Sequence, residues 1–284
     1  MIYNVITVIP TFFDAQNKID IVSIKKHIDS QINAGIQTIV ILGTTSETPT
    51  LTKDEKIFIV ENICKDYKDK LSIIIGISGN DTASVLEETK LYETYGDAIM
   101  ISAPYYNKPT QEGLYQHFSK IISNSQSKFI LYNVPSRSGV NIDPTTVARI
   151  YNDFPLKVIG IKEASGSIEQ VMKIKSLCKI KILSGDDALV LPFMSIGAEG
   201  VISVVSNIVP NKMTLMISHF KEKNLIEAQK IFYELYNLMK LCFIESNPVP
   251  LKYILSQTIN TLPNVRLPLV ELELKNKDLF IDFL

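Results

Sequence analysis

Three cysteines in 284 residues, Cys64, Cys178 and Cys242, are too few and too far apart for a disulfide framework or a zinc site. They are expected to be buried thiols in a reducing cytoplasm. His27, His117 and His219 likewise lack ligand spacing, and His27 and His117 fall on predicted helices, so no histidine is given a catalytic role. Neither sign of charge dominates: 29 Lys+Arg against 30 Asp+Glu leave a formal net charge of -1. With no basic block and no aromatic residues interleaved with basic ones, a nucleic-acid partner is not expected. No apolar run approaches the ~18 residues of a membrane-spanning helix, and polar residues and glycine interrupt stretches such as Ile36–Leu42. The start, Met1-Ile2-Tyr3-Asn4-Val5, has no cationic segment leading into an apolar one with a cleavage site. A soluble cytoplasmic protein with no signal peptide and no membrane association is therefore expected. Internal repeats and low-complexity linkers are also missing.

What the chain does have is apolar residues in a regular arrangement. Hydrophobic residues make up 46% and charged residues 21%, enough to bury a large core. Eight short runs rich in Ile and Val read as strands: 5–10, 37–42, 72–77, 98–102, 129–132, 157–162, 180–184 and 200–204. Amphipathic segments separate them, for example 53–68 with Ile57, Ile59, Val60 and Ile63, and 110–123 with Leu114, Phe118, Ile121 and Ile122. Thr52, and Asp143 before Pro144, read as helix N-caps. After about Asn207 the strand runs stop, and 212–219, 225–242 and 251–257 read as helices. This alternation predicts an α/β fold, a (β/α)8 TIM barrel over residues 1–206 that carries the active site. Residues 207–284 are expected to form a C-terminal helical extension packed on that barrel.

In such barrels the chemistry gathers at the C-terminal ends of the strands. Lys162 ends the run Val158-Ile159-Gly160-Ile161, where apolar surroundings disfavour an ammonium and a neutral amine can attack a ketone to form an imine. The bland alternative is a lysine reaching out to solvent. Tyr132 ends its own strand, so its phenol and the Lys162 amine can face one cavity, with Thr45 and Tyr106 supplying further hydroxyls for proton relay. Ordinary loop hydrogen bonding is the alternative for each hydroxyl. Arg137, in a proline-bearing loop, suits bidentate capture of a carboxylate; a surface ion pair explains it equally well. Asp186-Asp187 could suggest a metal pair, but reads more simply as capping residues at a helix start.

Five segments occur together in order: Gly43-Thr44-Thr45, Tyr105-Tyr106-Asn107-Lys108-Pro109-Thr110-Gln111-Glu112-Gly113, Tyr132-Asn133-Val134-Pro135-Ser136-Arg137-Ser138-Gly139, Gly160-Ile161-Lys162-Glu163-Ala164 and Leu183-Ser184-Gly185-Asp186-Asp187. In this, nearly the whole chain resembles the dihydrodipicolinate synthase family of pyruvate-dependent class I aldolases. The resemblance implies condensation of pyruvate with L-aspartate 4-semialdehyde to 4-hydroxy-tetrahydrodipicolinate, in diaminopimelate and lysine synthesis, with no cofactor and no metal. It also implies that Lys162 forms the imine with pyruvate, and that Tyr132, Thr45 and Tyr106 relay protons, Tyr106 reaching in from a neighbouring subunit of a homodimer or homotetramer. Thr44 and Thr45 then bind the pyruvate carboxylate, Gly185 and Ile202 line the pocket, and Arg137 holds the semialdehyde carboxylate.

Sialate lyases and 2-keto-3-deoxygluconate aldolases share the barrel, the lysine and the tyrosine. Arg137 sets the synthase ahead of such a sugar-acid aldolase, because those lyases usually carry an uncharged residue there. A catalytically silent barrel with a regulatory or assembly role is the reading from another class. Two departures from the family pattern stand out. Ser46 replaces the usual glycine; if that position needs a positive φ, serine there costs about 1–2 kcal/mol, or it offers one more hydroxyl to the carboxylate pocket. In the family's lysine-feedback region, near positions 49 to 56, 80, 84 and 105, Asn80 and Tyr105 match. Lys53, Lys56 and Ser84 replace the histidines and glutamate of the lysine-sensitive forms, so weak or absent inhibition by lysine is expected.

Overall fold

A computed structural model describes residues 4–283. Met1–Tyr3, on which part of the signal-peptide reading rests, lie outside the described residues. The chain order is β1 (Val5–Val8), α1 (Ile21–Asn33), β2 (Thr38–Ile41), α2 (Lys53–Tyr67), β3 (Ser72–Ile77), α3 (Thr82–Tyr92), β4 (Ala98–Ser102) and α4 (Gln111–Ser123). It continues with β5 (Phe129–Asn133), α5 (Pro135–Ser138), α6 (Pro144–Asp153), β6 (Val158–Glu163), α7 (Ile168–Leu177), β7 (Ile182–Ser184), α8 (Val190–Ser195) and β8 (Gly200–Ser203). Then come α9 (Pro210–Lys221), α10 (Leu225–Leu241), α11 (Val249–Thr258) and α12 (Leu274–Lys277). The strands follow one another from β1 to β8 in a closed parallel barrel, so the expected (β/α)8 architecture is present, with helices alone after β8. Among the described residues no helix is long and apolar enough to cross a membrane.

The chain forms two compact units, one of Ser72–Ile202 and the other of Met1–Leu71 with Ser203–Leu284. In the first, β3 to β8 bring fully buried Ile73, Ile74, Ile75, Phe129, Ile130, Leu131, Ile161, Ile182 and Val201 together. Stiff β-branched side chains suit these strands, which carry helices rather than water on their outer face. The helices start where their caps say they should. Asp81 accepts from Ser84 N, Thr110 from Gly113 N and Ser167 from Gln170 N. Pro144 opens α6 after Asp143, although the Asp143 side chain makes no capping bond.

In the second unit α2 begins with a capping box: Thr52 Oγ1 accepts from Glu55 N, and Glu55 accepts from Thr52 N. Asn207, just past β8, donates to Val8 O at 2.9 Å and pairs with His27 Nε2 at 2.9 Å. Burial pulls the His27 imidazole below its ordinary pKa. The expectation of three buried thiols needs correcting: all are free, Cys64 and Cys242 are buried, but Cys178 is only half-buried. It sits at the C-cap of α7, where the chain turns out toward β7.

Candidate active site

In the Ser72–Ile202 unit the site grows from one irregularity. Strands β5 and β6 pair Phe129 with Val158 but then Ile130 with Gly160, so one extra residue on β6 is accommodated. Side chains alternate along a strand, and a slip of one residue exchanges its two faces. After the bulge the register reads Tyr132 opposite Lys162 and Asn133 opposite Glu163. Both partners of the first pair are buried, Tyr132 at 7% and Lys162 at 6% exposure, and the amine lies 4.5 Å from the centre of the phenol ring. The sequence placed these two side chains toward one cavity; the structure makes them cross-strand neighbours.

The second pair points the other way and builds the support. Glu163 is fully buried and accepts from Asn133 Nδ2 at 3.0 and 3.2 Å and from Ser165 N at 2.8 Å. Burial pushes its carboxyl above the ordinary range, while these donors oppose the shift. Asn133 in turn accepts from Ile142 N at 3.0 Å and donates to Asn141 Oδ1 at 2.8 Å. The ends of β5 and β6 are thus tied to the segment leading into α6. Between them lies the one-turn helix α5 with Arg137, which Gly139 ends at φ 73° as a left-handed C-cap. Arg137 is exposed.

Gly185 follows β7 directly. A Cβ there would lie 2.6 Å from Ala164 Cβ and 3.1 Å from Lys162 Cε, so any side chain presses on the lysine stem. Ile202 is buried at the end of β8. Asp186 caps a short 3-10 turn by accepting from Ala188 N at 2.9 Å, which accounts for it as a capping residue. Tyr106 stands apart, 86% exposed with φ 70°, on a loop held by Asn107 Nδ2 donating to Asn80 O at 2.8 Å.

In the other unit Thr44–Ser46 form a single 3-10 turn just beyond β2. Thr45 is 2% exposed, and its hydroxyl oxygen accepts from Asn247 Nδ2 at 2.9 Å. The positive φ considered for Ser46 falls instead on Glu47, at 53°, so the serine carries no such strain. The Ser46 hydroxyl is engaged as well, donating to Ile9 O at 2.6 Å, while Thr11 Oγ1 donates to Ser46 O at 2.8 Å. The Glu47 carboxylate, fully buried, pairs with fully buried Lys252 of α11 at 2.6 Å and accepts from Arg266 N at 2.8 Å. Burial draws the Lys252 ammonium down to about 8 against the pull of Glu47. Arg266 reaches on to Glu55 at 2.8 and 2.6 Å, and both cations lie over the Phe13 ring, at 4.3 and 4.4 Å.

Sequence reasoning missed Asn133, Glu47, Asn247 and Lys252. Glu47 and Asn133 lay in view, one or two places from residues already singled out. Lys252 carried a signal of its own, a lysine among apolar neighbours on a helix, whereas nothing local marks Asn247.

A closed parallel barrel with a buried lysine set beside a buried tyrosine at adjoining strand ends is a (β/α)8-barrel enzyme of the lyase type. A model of the dihydrodipicolinate synthetase family matches residues 1–284, and the chain belongs to that family. A 4-hydroxy-tetrahydrodipicolinate synthase of Sulfurihydrogenibium sp. is 42% identical over 281 residues, 97% of this chain and 94% of the relative. One of Endomicrobium trichonymphae is 41% identical over 262 residues, 92% of this chain and 90% of the relative. The crystal structure of dihydrodipicolinate synthase from Thermotoga maritima superposes with a TM-score of 0.96 at 35% identity, covering 100% of this chain and 97% of that one.

Proposed function

We infer that this chain catalyses the 4-hydroxy-tetrahydrodipicolinate synthase reaction, condensing pyruvate with L-aspartate 4-semialdehyde in lysine and diaminopimelate biosynthesis. The observation that carries the mechanism is the in-register pair at the ends of β5 and β6, a buried amine against a buried phenol. Lys162 attacks the pyruvate ketone, water leaves, and the imine withdraws electrons so that the methyl group gives up a proton. The resulting enamine adds to the aldehyde carbon. The amine of the second substrate then displaces Lys162 as the ring closes, with Tyr132 moving protons through Thr45 and Tyr106.

Thr44 and Thr45 are assigned to the pyruvate carboxylate, Gly185 and Ile202 to the pocket wall, and Arg137 to the semialdehyde carboxylate. The exposure of Arg137 and Tyr106 supports an incoming substrate for the first and a neighbouring subunit for the second. The working form is a homo-oligomer, dimer or tetramer, in the cytoplasm. No cofactor enters this scheme.

The test is reductive trapping. Borohydride added with pyruvate is expected to attach one pyruvate-derived group to Lys162, located by peptide mass spectrometry, and none to Lys162→Ala. Pyruvate consumption with the semialdehyde is expected in the wild type and lost in Lys162→Ala and Arg137→Ala. Cleavage of N-acetylneuraminate or 2-keto-3-deoxygluconate, with no turnover of the semialdehyde, would assign the sugar-acid aldolase activity instead.

A further inference from the structure

We propose that Lys108 is a further binding residue for the second substrate, a cation that adds its charge to that of Arg137 in holding the semialdehyde carboxylate. Lys108 lies on the loop that follows β4, and Arg137 on the short helix that follows β5, its neighbour in the barrel. Gly139, the left-handed residue that ends α5, brings the two loops together. A Cβ at Gly139 would lie 3.2 Å from Lys108 Cε and 3.8 Å from Lys108 Cγ, so the lysine stem lies against this glycine. The ammonium is one bond beyond Cε. It therefore stands close to the end of α5, the helix that carries Arg137.

The loop holds the lysine there against a backbone preference. Lys108 has φ 45° and Tyr106 φ 70°, both in the left-handed region that disfavours any residue with a side chain. Asn107 between them is tied through its amide to Asn80 O at 2.8 Å. Packing on Gly139 accounts for the CH2 groups of Lys108, but not for its charge. Lys108 is exposed and, among the described residues, has no hydrogen-bond or ion-pair partner. An unpaired ammonium close to the helix of an exposed guanidinium makes this place positive, and a positive site attracts a carboxylate. Pyruvate depends on it less, because its own carboxylate is assigned to Thr44 and Thr45 on another turn.

Two variants separate charge from packing. Lys108→Met keeps the stem against Gly139 and removes the ammonium, whereas Lys108→Arg keeps a cation. The measurement is steady-state kinetics with each substrate varied in turn, at low and at high ionic strength. In Lys108→Met at low salt, KM for the semialdehyde is expected to rise roughly 5-fold, the upper span of an exposed charge pair. Both kcat and the KM for pyruvate are expected to stay near wild type. Toward 1 M salt, where charges are screened within about 3 Å, the rise is expected to disappear. Lys108→Arg is expected to behave as wild type throughout.

An unchanged semialdehyde KM in Lys108→Met, an equal rise in both KM values or a rise that salt leaves intact would overturn the proposal. A lower thermal unfolding midpoint with unchanged kinetics would assign Lys108 to packing alone, with the same result. The proposal rests on the reading of the second substrate and of Arg137, and Arg137→Ala distinguishes the two failures. No semialdehyde turnover by the wild type, or full activity in Arg137→Ala, would remove that reading and this proposal with it. A loss in Arg137→Ala beside wild-type kinetics in Lys108→Met would remove the Lys108 proposal alone.

Discussion

Lys162 sits in a confined place, and its stem has room because position 185 carries no side chain. A methyl group at position 185 would meet Ala164 Cβ at 2.6 Å and crowd Lys162 Cε at 3.1 Å. Gly185→Ala is therefore expected to cost about 1–3 kcal/mol in strain or in misplacement of the amine. The measurement is single-turnover imine formation with pyruvate, expected to slow while the fold persists by circular dichroism; an unchanged trapping rate would mean the alanine is absorbed elsewhere. At this scale the sequence was informative where chemistry and strand position coincide. Lys162 and Tyr132 end apolar runs, and a polar group in that place has few structural reasons to be there. Asn247 and Glu47 were not legible as a set, because their meaning lies in partners 202 and 205 residues away. Whether position 46 needs a positive φ was left open by the sequence; the left-handed residue is Glu47, and the Ser46 hydroxyl is bonded to Ile9 O.

Among the elements, strands were read most closely, since a parallel strand buried on both faces appears as an unbroken apolar run. The structure bounds β3 and β4 as expected, and shifts the other strands by only one or two residues at an end. What no run of letters displayed is the bulge between β5 and β6, which decides whether residue 162 or its neighbour faces Tyr132. Helix α4 carries a different kind of information. His117 is 5% exposed, shares a hydrogen bond with Thr82 at 2.9 Å, and is held by burial at about 4 against an ordinary 6.5. Between those values the unfolded chain binds a proton that the folded chain refuses. The contribution is intact above pH 6.5 and is lost as pH falls, amounting to about 3 kcal/mol by pH 4. Urea unfolding at pH 7 and pH 4.5 is expected to show a smaller drop in stability for His117→Gln than for wild type. An equal drop would mean that the imidazole takes up its proton within the fold. At the start of α2, loss of the capping box in Thr52→Ala is expected to lower stability by about 1 kcal/mol, read from the same unfolding curves.

For the whole molecule the buried Glu47–Lys252 pair matters most. Removing Lys252 leaves the Glu47 carboxylate buried with its direct ion-pair partner gone and only Arg266 nearby, so Lys252→Met is expected to destabilise the protein by about 3–5 kcal/mol, and the double variant with Glu47→Gln to recover part of that loss. Denaturant titration of the two variants checks it; equal stability in both would show that Arg266 alone suffices for Glu47. Assembly has its own test. If Tyr106 serves the neighbouring subunit, Tyr106→Phe and Lys162→Ala proteins, each nearly inactive, are expected to regain activity when unfolded and refolded together, whereas mixing without subunit exchange restores none. Inhibition by lysine is expected to be weak or absent, because Lys53 and Lys56 put two cations in the region expected to bind it; strong inhibition at sub-millimolar lysine would overturn this. The long reach from Arg266 and Lys252 back to Glu47 also has a consequence for how the protein is made. The turn that carries Thr44 and Thr45 leaves the ribosome early, but the atoms that fasten it are synthesised 205 and 219 residues later. A nascent chain that has not yet reached Lys252 holds every strand of the barrel without either of the partners that fasten Glu47.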